Sequence, residues 1–150
     1  MASLTDAFSE NFILFHPDNS DNKKNCFEAI CALITRNNPA LKDQTLFNAL
    51  YNREKIGSTM VTPQIAIPHA RIDNLSNPIG VITKLANPIP FSNDEQDNVS
   101  LLFTLFVSTE ANQQHLNLLA QLATKLRHAD WSQALLQAES SEQLWQRFCD

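Results

Sequence analysis

Glycine is almost missing from this chain, with 2 residues in 150, and proline accounts for 7 more. That scarcity excludes collagen-like and Pro/Gly-rich disordered chains. The short run Gly57-Ser58-Thr59 lacks both the glycine-rich stretch and the following lysine of a P-loop, so nucleotide phosphates are not expected to bind by that route. The three cysteines, Cys26, Cys31 and Cys149, are odd in number and show no Cys-x-x-Cys spacing. The N-terminus carries neither a basic region nor an apolar run suited to secretion, and a reduced cytoplasmic protein is expected. His16, His69, His115 and His128 form no short metal-ligand pattern, so neither a metal nor another cofactor is expected.

Positive charge is also in short supply. Lys and Arg number 11 against 16 Asp and Glu, giving a net charge of −5. No basic run exceeds Lys23-Lys24, and a nucleic-acid backbone would be repelled. Long apolar runs are lacking as well. The strongest, Val99 to Val107, includes Ser100 and Thr104 and is about half the roughly 20 residues that a spanning helix needs. It reads as a buried strand, with no direct membrane insertion.

What is present is a 43% hydrophobic content, enough for a core, and 150 residues suit one domain over 1–150. Phe27, Ile30, Cys31 and Ile34 recur at helical spacing over Lys24 to Arg36, and Asn37-Asn38-Pro39 supplies a stop. Asp43 to Arg53 repeats the pattern with Leu46, Phe47, Ala49 and Leu50. Ile65-Ala66-Ile67 reads as a short strand ending at Pro68, with His69 at or just beyond its end. Ile79 to Leu85 and Val99 to Val107 are further strands, separated by a polar connection from Ser92 to Asn98. A helix is expected from about Ala111 to His128. Another follows around Leu144, Trp145 and Phe148, with Ser140 and Gln143 as a capping box. Trp131 and Trp145 read as packing residues.

Chemistry centres on His69. Pro68 fixes its approach and Arg71 is close in sequence. A neutral imidazole is a competent nucleophile toward a phosphoryl donor, and a guanidinium can bind the charged oxygens. Taken alone, this histidine reads more simply as a loop anchor.

Two motifs together say more. Arg53-Glu54-Lys55-Ile56-Gly57-Ser58-Thr59 and Ile65-Ala66-Ile67-Pro68-His69-Ala70-Arg71, followed by His115-Leu116, resemble the type-2 enzyme IIA domain of the bacterial phosphoenolpyruvate-dependent phosphotransferase system. This is the fructose/mannitol family, and the similarity extends over nearly the whole chain, nearest to its stand-alone nitrogen-regulatory branch. The resemblance implies an α+β fold of three layers, with a mixed central β-sheet flanked by α-helices. It implies that His69 accepts a phosphoryl group from the histidine-containing phosphocarrier protein or its nitrogen-branch paralogue. Arg53 would neutralise the phosphoryl oxygens, and His115 would bond to the phosphate or to the nucleophilic ring. Ser58 and Thr59 would shape the same pocket. No cofactor is needed, because the carrier arrives already charged.

Simpler roles stay open: a helix-end cation for Arg53, turn bonding for Ser58 and Thr59, an exposed surface cation for Arg71. The chain departs from the family pattern where Met60-Val61-Thr62-Pro63-Gln64 replaces a glycine-rich link, and where Ser92 to Asn98 lacks a glycine. Two roles follow from the resemblance. One is regulation through a sensor kinase or potassium transporter, favoured because no transporter or second domain is attached. The other is sugar uptake through the enzyme IIB component of a separate transporter. A phosphorylation-independent binding protein is the third alternative.

Overall fold

The computed structural model describes residues 3–92, 94 and 96–150. Along the chain lie α1 (Leu4–Ala7), β1 (Ile13–Phe15), α2 (Lys23–Asn37), α3 (Asp43–Ile56), β2 (Met60–Thr62), β3 (Gln64–Ala66), β4 (His69–Ile72), β5 (Ile79–Pro90), β6 (Asn98–Ser108), α4 (Gln113–Leu126), α5 (Ala129–Leu136) and α6 (Ser141–Cys149).

The apolar run expected to be a buried strand is β6, the centre of a mixed six-stranded sheet. On one side β5 pairs with it antiparallel; on the other β3 and β4 lie end to end, both parallel to it. The sheet continues outward through β1, parallel to β5, and β2, antiparallel to β3. Pleating sends successive β6 side chains to opposite faces. Leu102 and Phe106 join Phe27, Ile30, Ile34, Leu46 and Leu50 of α2 and α3. Leu101, Phe103, Leu105 and Val107 join Phe8, Leu118, Leu122, Leu135, Leu144 and Phe148 below α4, α5 and α6. The result is the expected α+β arrangement: helices, mixed sheet, helices.

Local signals set the long elements. The Asn22 side chain accepts from Asn25 N–H at the start of α2, and Asn112 does the same for His115 at the start of α4. Ser140 Oγ accepts from Gln143 N–H, while the Gln143 amide oxygen accepts from Glu139 N–H, one residue before the position that a capping box would use. Gly80 has a packing reason: a Cβ there would lie 2.5 Å from the Phe8 ring.

Several boundaries differ from the sequence expectation. The second amphipathic helix runs past Arg53 to Ile56, one turn further. His69 lies just beyond the end of the short strand β3, as expected, and in addition opens β4, because pairing with β6 resumes once Pro68 has been passed. β5 runs past the expected end at Leu85 and through Pro88 to Pro90. The strand breaks register between Lys84 and Ile89, leaves Ala86 to Pro88 exposed, and rejoins β6 at Ile89. The expected long C-terminal helix ends at Leu126, and α5 follows it. Of the polar connection, residues 93 and 95 lie outside the described residues, and Asn98 already belongs to β6. Cys26 and Cys31 are buried and free, with burial pushing both thiols up to about 12. No helix among the described residues is long and apolar enough to cross a membrane.

Candidate functional site at the β4 edge

The sheet is open at β4. β2 covers the outer side of β3, but among the described strands none covers β4, and α3 packs along this edge instead. Ala70 and Ile72 point into the α2/α3 core, so strand alternation turns His69 and Arg71 the other way.

The two residues meet an open cleft of about 470 Å³. Ala49, Asn52, Arg53 and Ile56 of α3 form one wall, and His115, Leu116 and Leu119 of α4 form another. Leu105 and Val107 of β6 lie behind His69, Ala70 and Arg71. Residues 53, 69 and 115, far apart in sequence, therefore line a single cavity. Arg71 lines it too, and two guanidiniums give this spot a cationic character against a net charge of −5. Ile56, 83% exposed at the rim, is out of step with the buried Leu46/Leu50 stripe of its helix.

The His69 ring is held by one nitrogen. Nδ1 lies 2.7 Å from the Ile67 carbonyl oxygen. A carbonyl can only accept, so Nδ1 carries the proton and the Nε2 lone pair is left available. Burial holds the imidazole below its usual range; the Ile67 bond opposes that, Arg53 adds to it and Glu54 opposes it. The ring is thus neutral near pH 7. Arg53 sits in the last turn of α3 and donates through Nη1 to the Gly57 carbonyl at 2.9 Å, which fixes its stem against the helix end. His115 occupies the first turn of α4, where its own N–H is already taken by Asn112.

Ser58 and Thr59 do not line the cleft. Ser58 Oγ accepts from Met60 N–H at 3.2 Å, a turn contact. Thr59 is buried and directs its N–H and O–H to the two carboxylate oxygens of Glu54, at 3.1 and 2.7 Å. Glu54 is the residue that sequence reasoning passed over, although Leu46, Leu50 and Glu54 at intervals of four place it on the buried stripe. The altered link does not close the site. Gln64 takes up the left-handed backbone (φ 72) that a glycine would adopt easily, β2 and β3 pair around it, and His69 still reaches the cleft.

Residues 6–149 match the family described as the phosphoenolpyruvate-dependent sugar phosphotransferase system, EIIA 2. The chain belongs to that family. Among its relatives, a nitrogen regulatory protein of Pseudomonas aeruginosa is 39% identical over 128 residues, spanning 85% of this chain and 83% of the relative. A fructose-specific EIIA component of the phosphotransferase system from Haloferax volcanii is 35% identical over 95 residues, 63% of this chain and 62% of that one. Among solved structures, the nitrogen regulatory protein IIA-Ntr of Neisseria meningitidis superposes with a TM-score of 0.82 at 28% identity, covering 96% of this chain and 97% of that one. This EIIA-2 chain therefore shares both the fold and the sequence of phosphotransferase-system IIA proteins.

Proposed function

We propose that this chain is a phosphohistidine carrier in which Nε2 of His69 accepts a phosphoryl group from a histidine-containing phosphocarrier protein or its nitrogen-branch paralogue. The observation that carries the reading is the Nδ1–H bond to the Ile67 carbonyl, which leaves the other nitrogen unprotonated in a cationic cleft. In the transfer the Nε2 lone pair forms a bond to phosphorus as the donor's N–P bond breaks, and the donor nitrogen keeps that electron pair. Nδ1 stays protonated throughout, its bond to Ile67 offsetting the charge that the ring gains. Arg53 and Arg71 stabilise the equatorial oxygens, with the largest benefit where charge spreads in the transition state. His115 bonds to the transferred group from the opposite wall. Ile56 and the leucines of α4 give a donor an apolar rim on which to seat.

A regulatory use is supported by relatives named as nitrogen regulatory proteins, of which the chain covers most of the length. Its downstream partners would then be of the sensor-kinase or potassium-transporter type, met in the cytoplasm. The fructose-specific relative supports a second reading, in which an enzyme IIB component receives the phosphoryl group for sugar uptake.

The test is intact-mass analysis after incubation with phosphoenolpyruvate, enzyme I and either the sugar-branch or the nitrogen-branch phosphocarrier, with His69→Ala alongside. An acid-labile phosphate on the original chain and none on the variant is expected, with faster uptake from the nitrogen-branch donor. Faster uptake from the sugar-branch donor would favour the uptake role. No uptake from either active donor would leave a phosphorylation-independent binding protein.

A further inference from the structure

Burying a carboxylate is costly unless donors replace its water. Glu54, 8% exposed, is fully supplied: besides Thr59 N–H and O–H, the Lys23 ammonium donates to Oε1 at 3.1 Å. Lys23 donates also to the Phe91 carbonyl at 2.7 Å and lies 4.2 Å from the centre of the Phe91 ring. One carboxylate thereby ties together the first turn of α2, the last turn of α3, the residue before β2 and the residue after β5.

The ties run on to the site. The Thr59 carbonyl accepts from Ile67 N–H at 3.0 Å, and the Ile67 carbonyl is the acceptor for His69 Nδ1. Between Thr59 and Ile67 the backbone passes through Pro63, the left-handed Gln64 and a register shift between β2 and β3. That hairpin is irregular, so its own pairing specifies the place of Ile67 weakly. Ile67 itself lies outside both β3 and β4.

We propose that Glu54 is a positioning residue for His69: by clamping Thr59 it sets the Ile67 carbonyl, and so decides which ring nitrogen carries the proton. The functional part of this inference rests on the phosphohistidine reading; the geometric part does not. The action passes through the Ile67–Thr59 backbone hydrogen bond and the His69 Nδ1–Ile67 bond, beside the charge that Glu54 places near the ring, and Glu54 itself does not line the cleft. Without the clamp, Ile67 is held from the β6 side alone, by Ala66 beside Leu102 and by the Pro68 carbonyl accepting from Leu105 N–H. Its carbonyl then meets Nδ1–H less well, and the Nε2–H form, whose Nε2 has no lone pair to attack with, becomes populated.

The experiment uses the full chain, with nitrogen-proton correlation spectra of the His69 ring recorded near pH 7 and initial rates of phosphoryl uptake measured in parallel. Glu54→Ala and Thr59→Val are expected to turn a single Nδ1–H form into a mixture and to slow uptake by about ten-fold or more. Thr59→Ser, which keeps the hydroxyl donor, is expected to restore both. Phe148→Ala in the opposite layer serves as the reference for loss of stability alone and should leave the ring form unchanged. A wild-type ring form and rate in both Glu54→Ala and Thr59→Val, with only a lower unfolding midpoint, would overturn the proposal. Should Glu54→Ala fail to fold, Thr59→Val decides by the same two readouts. If the wild-type chain takes up no phosphoryl group, the carrier reading fails and the ring form alone decides the positioning role.

Discussion

Both sides of the sheet pack on apolar cores, and the α2/α3 side adds a polar clamp at the end of α3. Below α4 to α6, Phe8, Phe103 and Phe148 form an aromatic cluster with ring centres 5.4 to 6.0 Å apart, and Trp131 and Trp145 lie against Phe148. Above, near the end of α3, the chain is fixed by a buried carboxylate and the donors aimed at it. Apolar packing is strong but weakly directional, so it fixes the sheet without fixing any single atom. The polar clamp is directional, and it lies where the placement of one carbonyl decides the state of one imidazole. Stability and site geometry are therefore separable by mutation.

The largest effect that sharpens this contrast is Phe103→Ala, which removes a fully buried ring packed on Phe8 and Phe148. It should lower stability by about 3–5 kcal/mol in chemical denaturation, while uptake per folded molecule stays at the wild-type rate. Arg53→Gln should do the reverse. Uptake falls by about 10²–10³-fold with the unfolding midpoint almost unchanged, as expected when a half-buried donor to developing charge is lost. An equal loss of stability in both variants would erase the distinction.

Acidification gives a smaller effect with a defined sign. The His69 pKa in the folded chain lies below 6.5, chiefly through burial, so the unfolded chain takes the proton first as pH falls. The stability tied to this group is complete above 6.5, its ordinary value, and is lost as pH drops through the folded pKa. Uptake should likewise hold to a lower pH than an unperturbed histidine allows; a midpoint above 6.5 in the pH–rate profile would contradict the burial argument. The smallest change is Gln64→Gly. Release of the left-handed strain at φ 72 should outweigh the added chain entropy, and the unfolding free energy should rise by about 0.5–1 kcal/mol. No gain would mean that the Gln64 side chain, which accepts from Ser100 at 3.4 Å, offsets the strain.

The long periodic elements were legible because their own side chains specify them. The stripes of α2 and α3 and the apolar run of β6 each carry a face that must be buried, and they formed close to where the spacing put them. Short elements such as β1, β2 and β4 carry no such signal and exist because a neighbouring strand offers hydrogen bonds. The gathering of Arg53, His69 and His115 could be expected only through the family resemblance, since no spacing rule links three elements across a sheet edge. The Lys23–Glu54 pair joins residues 31 apart and was invisible for the same reason, although the buried stripe of α3 already pointed to Glu54.

The measurement that bears most directly on the central claim is phosphorus and nitrogen NMR of the phosphorylated chain at neutral to mildly alkaline pH, assigning the modified ring atom. The account predicts phosphate on Nε2 of His69 with a proton still on Nδ1 and hydrogen-bonded to Ile67. Phosphate on Nδ1, or on any residue other than His69, would contradict it.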